Sequence, residues 1–224
     1  KAKGGFKLAN PDVSPEYITS CEAGGDVLTG KCLRTSVSLY YSIGTDFMYF
    51  VNSGDSLTMG SVQKPIYIRT NIPRVDICGA EAELNYKPFK NVTLSAAYSF
   101  NYSKITRYKK LDVNDNVDLT GNHLTDVPYN KVSLSGRWQN RFVNLSIFYR
   151  WQDMMWVNDQ NAYDATVGSD RYPAYSSVDL RISKEIRFLG LSFDVQNMFD
   201  TEFFDFSRAV CPGRFITASL SVKF

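Results

Sequence analysis

The chain has 224 residues, 44% of them hydrophobic and 14% aromatic, with a formal net charge of +2. This composition excludes a disordered chain, and the near-neutral charge gives no basic field for nucleic acid. No apolar run is long enough for a transmembrane helix. The length suits one large domain or two small ones, and the polar opening without Met predicts a processed chain or part of a longer one.

Nine strands are predicted by a two-residue alternation of apolar and polar side chains. In one of them, Val92, Leu94 and Ala96 share one face, and Thr93 and Ser95 share the other. The predicted strands span residues 17–28, 32–50, 65–86, 92–109, 130–139, 143–157, 174–186, 191–204 and 213–224. No segment has a helical period, so the fold class is predicted to be all-β.

The connections between these strands alternate between short and long. Short turns are predicted at 29–31, 87–91, 140–142 and 187–190. Long polar loops are predicted at 52–63, 110–128, 158–173 and 205–212. Short turns at one end and long loops at the other are typical of an antiparallel transmembrane β-barrel.

The chemistry of the two faces also favours a membrane barrel. One face carries Arg, Asp, Glu and Gln, which suit a wet lumen, and the other is apolar and suits lipid. Aromatic residues collect near strand ends, as at Tyr40, Tyr41 and Tyr102, and predict interfacial girdles. Two alternatives are a small passive porin with an even strand count and a soluble, carbohydrate-binding β-sandwich with a solvated outer face.

Five motifs occur in an order that characterises a known family. They are Asn10–Asp12 with Pro15, Glu16, Glu22 and Gly24; Gly79 and Glu81; Gly121, Leu124, Val127 and Pro128; Asn197, Phe199 and Asp200; and Pro212, Gly213, Arg214 and Phe224. Together they span nearly the whole chain and resemble the C-terminal barrel portion of a TonB-dependent outer-membrane receptor.

The resemblance implies an antiparallel barrel of about 22 strands around a plug. Residues 1–224 would then be a partial barrel domain that supplies about nine C-terminal strands and outer loops, with the plug domain absent. The implied function is TonB-dependent active transport of a scarce large nutrient of the iron-siderophore, haem or cobalamin class. No enzymatic activity and no cofactor are expected.

The resemblance also implies a location and partners. The location is the outer membrane of a Gram-negative bacterium, with the chain crossing it as a multi-pass β-barrel. The partners are outer-membrane lipid, the plug and N-terminal strands, TonB through the missing N-terminal part, the barrel-assembly machinery and a surface lipoprotein. Phe224 would serve as the barrel-assembly signal. No nucleic-acid partner is expected.

The candidate ligand-binding residues lie in and beside the loop at 158–173. They are Trp151, Met154, Met155, Trp156, Tyr163, Arg171 and Tyr172. Aromatic and Met side chains suit the flat apolar face of a chelate, corrin or porphyrin, and Arg suits an anionic edge. Trp151 and Trp156 could instead be girdle residues. Asn197, Asp200, Pro212, Gly213 and Arg214 are predicted to be structural.

Other site chemistries receive weaker support. Asp112, Asn114, Asn116 and Asp118 alternate as at the start of a calcium loop, but the required Gly and closing Glu are missing, and His123 stands in place of the Glu. His123 is also an isolated candidate for a haem ligand. The four cysteines fit no metal pattern, and no metal site is expected. A Cys21–Cys32 disulfide remains open, although the alternation puts the two residues on opposite faces.

Catalysis is also weakly supported. No Ser–His–Asp set is visible. Glu81 and Glu83 share a strand face at a spacing of about 7 Å, which lies within the range of inverting glycosidases. A charge network with Arg residues on neighbouring strands is the preferred interpretation of this pair.

Overall fold

The computed structural model describes residues 6–110, 117–165, 167–204 and 209–223. These residues form strands and connections. The strands are β1 (Phe6–Leu8), β2 (Tyr17–Thr29), β3 (Leu33–Met59), β4 (Val62–Phe89), β5 (Val92–Arg107), β6 (Asn130–Gln139), β7 (Asn144–Gln152), β8 (Met155–Trp156), β9 (Arg171–Tyr172), β10 (Tyr175–Ile186), β11 (Leu189–Gln196) and β12 (Phe215–Val222). No helix in this part of the chain is long and apolar enough to cross a membrane.

The nine predicted strands form one antiparallel sheet in the order β12-β11-β10-β7-β6-β5-β4-β3-β2. Among the described strands, β2 and β12 each have a neighbour on one side only, so the sheet is open. Its apolar side chains lie uncovered: Leu84, Leu94, Leu134, Ile147 and Leu191 are 39% to 47% exposed. A sandwich would bury this face against a second sheet, so the sandwich alternative is wrong.

The long loop predicted at 52–63 is also wrong. β3 continues to Met59 and β4 begins at Val62, which leaves a tight turn where Gly60 has a φ of 62°. The two strands have 27 and 28 residues, far more than the 9–11 that cross a bilayer. Since both faces of the protruding part can contact water, its polar composition suits a strand as well as a loop.

Two predicted strands end earlier than expected. The strand predicted at 143–157 stops at Gln152, and Met155–Trp156 pair instead with Arg171–Tyr172 as a separate small hairpin. The strand predicted at 191–204 stops at Gln196, because Asn197 adopts a φ of 47°. In both places apolar residues continue beyond the strand but serve loop packing.

Over the middle of the sheet, the register places mainly apolar side chains on one side and mainly polar ones on the other. One apolar row runs Leu33, Tyr86, Leu94, Gly136, Ile147, Leu180, Val195 and Ile216. One polar row runs Ser36, Glu83, Ala97, Ser133, Arg150 and Ser177. We call these sides the apolar face and the polar face. They agree with the predicted alternation.

The main buried core lies at the end of the sheet where the long connections meet. It consists of Val51, Ile72, Val75, Ile105, Leu119 and Leu124. Val75 follows Glu81 and Glu83 along the polar face of β4, so this face changes from charged to apolar towards the loops. Residues 117–129 therefore find an apolar surface to pack on.

The N-terminal segment crosses β3 and β4. β1 pairs in parallel with Ile66–Ile68 of β4. The amide of Asn10 then donates to the Arg69 carbonyl oxygen at 3.0 Å, and Glu16 accepts from the backbone N–H of Met48 at 2.9 Å. Two residues of the first sequence motif thus hold this segment on the extended hairpin.

Candidate functional site

Aromatic and charged side chains meet where residues 117–129, which precede β6, pack against residues 153–165, which follow β7, and residues 167–174, which precede β10. We name His123, Tyr129, Trp156 and Arg171 the loop-end cluster. The His123 and Trp156 rings are stacked with 6.1 Å between centroids and 2° between planes. The Arg171 guanidinium lies 4.0 Å from the centre of the Trp156 ring. Trp156 therefore contacts one loop through His123 and the other through Arg171.

Hydrogen bonds hold His123 in place. Its Nδ1 lies 2.7 Å from the Ser103 carbonyl oxygen on β5. Its backbone N–H donates to the Asn161 side chain at 2.6 Å, and the Asn161 amide donates to the His123 carbonyl oxygen at 3.0 Å. Trp156 Nε1–H donates to the Tyr129 hydroxyl at 3.1 Å. These bonds therefore join the described parts of the two connections.

The structure divides the predicted ligand-binding residues into four groups. Met155 and Tyr172 are buried in a second small core, where the Tyr172 and Phe204 rings stack at 5.3 Å. Trp151 lies on the apolar face of β7, opposite Val132, in the position of a girdle residue. Met154 and Tyr163 are exposed, while Trp156 and Arg171 belong to the loop-end cluster.

An open groove of about 640 Å³ lies beside Arg171. We call it the loop-end groove, and it is lined by Met154, Val167, Ser169, Asp170, Arg171, Pro173, Glu202 and Phe204. Arg171 Nε lies 3.9 Å from a carboxylate oxygen of Asp170. The sequence pattern did not predict Glu202 and Phe204 as lining residues. They follow β11, and they lie near the loop at 158–173 only because β11 is next to β10 in the sheet.

A second groove, of about 680 Å³, lies on the polar face between β2 and β6. Glu22, Asp26, Glu81, Glu83 and Lys131 are among its lining residues, so the two glutamates do share a face. Glu83 accepts a hydrogen bond from Asn85 at 2.6 Å. Arg34 on the neighbouring strand β3 forms its ion pair with Asp26, at 2.5 Å, and attracts Glu83 over a longer distance.

The residues predicted to be structural join the ends of β11 and β12. The Asn197 side chain accepts from the Thr201 N–H and donates to the Thr201 carbonyl oxygen, both at 2.9 Å. Asp200 accepts from the backbone N–H of Arg214 at 2.6 Å, and a Cβ on Gly213 would overlap the same carboxylate. These contacts support a structural role for Asn197, Asp200 and Gly213. Pro212 lies beside it, and Phe224 lies outside the described residues.

The remaining metal and disulfide candidates are described in part. Asp112, Asn114 and Asn116 lie outside the described residues, while Asp118 accepts from the Thr120 N–H at 2.9 Å. This bond lowers the pKa of Asp118. No cluster of three or more His, Cys, Asp or Glu residues is placed for a metal within the described ranges. Within the described residues, no disulfide joins Cys21, Cys32, Cys78 or Cys211.

Tyr49 on the extended part of β3 ties the hairpin to the loop at 117–129. Its hydroxyl lies 2.5 Å from the Thr125 hydroxyl. Burial raises the pKa of Tyr49 to about 12. Because a phenol ordinarily ionises near pH 10, the native state favours its neutral form, and this contribution to stability is present below about pH 10 and lost as pH rises towards 12.

We therefore expect Tyr49→Phe to remove one late-ionising phenol. The measurement is a titration of the folded protein followed by the ultraviolet absorbance of phenolate. The absorbance of the wild type minus that of the variant should rise near pH 12. A difference that rises near pH 10 would contradict the burial of Tyr49. Tyrosine amide, titrated in the same buffer, is the reference.

Comparison with known proteins identifies the family. A family model described as "TonB dependent receptor-like, beta-barrel" matches residues 2–198. A search of curated proteins gave no match.

Solved structures share the fold at low identity. The copper transporter OprC has a TM-score of 0.68 and 18% identity, over 96% of this chain and 32% of its own. The siderophore receptor PiuA from Acinetobacter baumannii has a TM-score of 0.70 and 15% identity, over 92% of this chain and 28% of its own. The unliganded ferric citrate transporter FecA has a TM-score of 0.70 and 18% identity, over 94% of this chain and 32% of its own. The chain thus spans about a third of the length of these structures. By its match to the family model, the chain belongs to the TonB-dependent receptor-like β-barrel family.

Proposed function

We propose that the protein takes part in TonB-dependent uptake of a large chelated nutrient across the outer membrane. The observation that carries the proposal is the division of the sheet, with an uncovered apolar face, a polar face with a groove, and an aromatic–Arg cluster at the long-loop end. An apolar outer wall suits lipid, and a polar face suits a wet lumen. In this role the described strands form part of a barrel wall, and the loops form part of a ligand entrance.

A ferric siderophore is the ligand class that we favour for the loop-end groove. Met154 and Phe204 offer apolar surface, and Arg171 offers a cation for an anionic chelate. Among the similar structures, PiuA is a siderophore receptor, FecA is a ferric citrate transporter and OprC is a copper transporter. Haem and cobalamin present similar flat surfaces and are the alternatives that the experiment separates.

The transport step would rest on partners outside this chain. We propose that a plug fills the lumen, that TonB pulls on it with energy from the proton-motive force, and that the remaining strands pair with the free edges of β2 and β12. No covalent chemistry is required.

Uptake by intact cells tests the proposal. Cells with and without the protein are given radiolabelled iron as a catecholate complex, as citrate or as haemin, and labelled cobalamin separately. We expect one iron complex to be taken up, and an uncoupler to stop its uptake. Uptake that persists with the uncoupler would indicate a passive porin and would overturn the proposal.

A matched pair of variants tests the groove. Arg171→Ala should weaken binding of the transported complex about tenfold, since a hydrogen bond to a charged group contributes about 1.5 kcal/mol or more. Arg141→Ala is the control, because Arg141 also lies over an aromatic ring, 4.6 Å from the centre of Phe142, but at a short turn. If both variants bind the transported complex with the affinity of the wild type, Arg171 does not contribute to binding.

A further inference from the structure

The apolar face ends abruptly on β4 and β5. On β4 its residues from Tyr86 to Cys78 are uncharged, and on β5 those from Val92 to Tyr102 are uncharged too. The next pair outward is Asp76 with Lys104, and the one beyond is Arg74 with Arg107. Three cations and one acid therefore stand on the lipid-facing side, beside the aromatic residues Tyr41 and Tyr102.

The position of this patch along the membrane normal corresponds to the level of the lipid headgroups. From Val92 to Tyr102, β5 rises about 33 Å along the strand. At the usual tilt of about 40° this is about 25 Å along the membrane normal, which is the height of the apolar band of an outer-membrane barrel. Lys104 and Arg107 come directly after this band, towards the long-loop end.

Among the residues that the structure describes, the charges of the patch are not balanced. Asp76 is engaged by Arg74 at 2.9 Å and by the Tyr41 hydroxyl at 2.7 Å. Within the described ranges, Lys104 and Arg107 form no ion pair, and Arg107 is exposed. Arg74 and Arg107 are direct cross-strand neighbours, an arrangement that repels unless an anion lies near both.

An acid at the same end of the sheet is already hydrogen-bonded within the protein. Asp153, which follows β7, accepts from the Asn130 amide at 2.7 Å and from the Met154 N–H at 2.8 Å. Asn130 in turn accepts from the Tyr98 hydroxyl at 2.7 Å. These bonds fix Asp153 beside β6 and leave two positive charges in excess around Lys104 and Arg107.

We propose that Arg74, Lys104 and Arg107 dock the phosphate groups of a lipid headgroup in the outer leaflet. The acyl chains of the same lipid would lie on the apolar face below, against Cys78 and Tyr102. Phosphate fits because Arg binds its oxygens in pairs and Lys adds a point charge. The inference rests on the membrane orientation of the proposed function, with the long loops outward.

Native mass spectrometry of the detergent-solubilised protein tests the docking. The probes are diphosphoryl lipid A and, as a lipid without net charge, phosphatidylcholine. We expect selective binding of lipid A, and Lys104→Gln/Arg107→Gln should weaken it about thirtyfold at about 1 kcal/mol per charge. Lys87→Gln/Lys90→Gln, at a short turn, removes two charges at the opposite end and should leave binding unchanged.

Three results would overturn the proposal: equal binding of both lipids, equal weakening by both double variants, or displacement of lipid A by millimolar inorganic phosphate. The last would indicate a surface that attracts any anion. Retained heat-modifiable migration on gels confirms that each variant is folded. Lipid binding is measured without transport, so a failed uptake experiment and a failed docking experiment are distinguishable.

Discussion

Gly79→Ala is expected to destabilise the protein by about 3 kcal/mol and to reduce its amount in the membrane. A Cβ at this position would overlap the Phe100 carbonyl oxygen and the end of the Tyr40 side chain. Tyr40 could move, with loss of its hydrogen bond from the Asn101 amide at 2.7 Å. The carbonyl belongs to the neighbouring strand β5 and cannot move without distorting the sheet.

Gly136→Ala is the matched control for this substitution. Gly136 also lies in the middle of a strand, but its Cβ would meet Ile147 at 3.4 Å and Leu94 at 3.5 Å, which is ordinary contact. The measurement is the urea midpoint of the protein isolated from membranes, together with its yield. Equal midpoints for the two variants would show that β4 and β5 are not in this register.

Leu134→Arg is expected to cost about 2–4 kcal/mol of stability in a bilayer. Leu134 lies on the apolar face near the middle of β6 and is 44% exposed in the sheet. If this face contacts lipid, the guanidinium must leave water for hydrocarbon. The free energy of unfolding from phospholipid vesicles is the quantity to measure.

The neighbouring position on β6 supplies the control. Ser133 points to the polar face and lines the groove that contains Glu81 and Glu83. Ser133→Arg should therefore leave stability within about 1 kcal/mol of wild type, because its charge remains in a polar surrounding. A reversed order of the two variants would mean that the assignment of faces is wrong.

The sheet was predictable because its signal is local. Alternation such as Val132, Leu134 and Trp138 against Ser133 and Ser135 reports a face directly, and all nine predicted strands occur in the sheet. The protruding hairpin was not predictable in the same way. Where neither face contacts lipid, alternation disappears, and Asn52 to Gln63 resemble a loop although they continue two strands.

The loops were less predictable, because their packing joins residues far apart in sequence. Met155 and Tyr172 were candidates on residue type alone, yet the same apolar character places them in a small core with Phe204. Trp156 and Arg171 were predicted from the chemistry of their side chains, but the stack of Trp156 on His123 depends on how two loops meet. Such contacts leave no periodic pattern in the sequence.

The order of the sheet has a consequence for how the protein assembles. Each of the nine main strands pairs with the one before it, apart from the small hairpin β8–β9 inserted between β7 and β10. The connections between successive strands differ in length, but each doubling of loop length adds only about 0.6 kcal/mol to the entropic cost of closing the loop. These strands can therefore pair one hairpin at a time, and at every stage only the first strand, β2, and the newest strand have an unpaired edge.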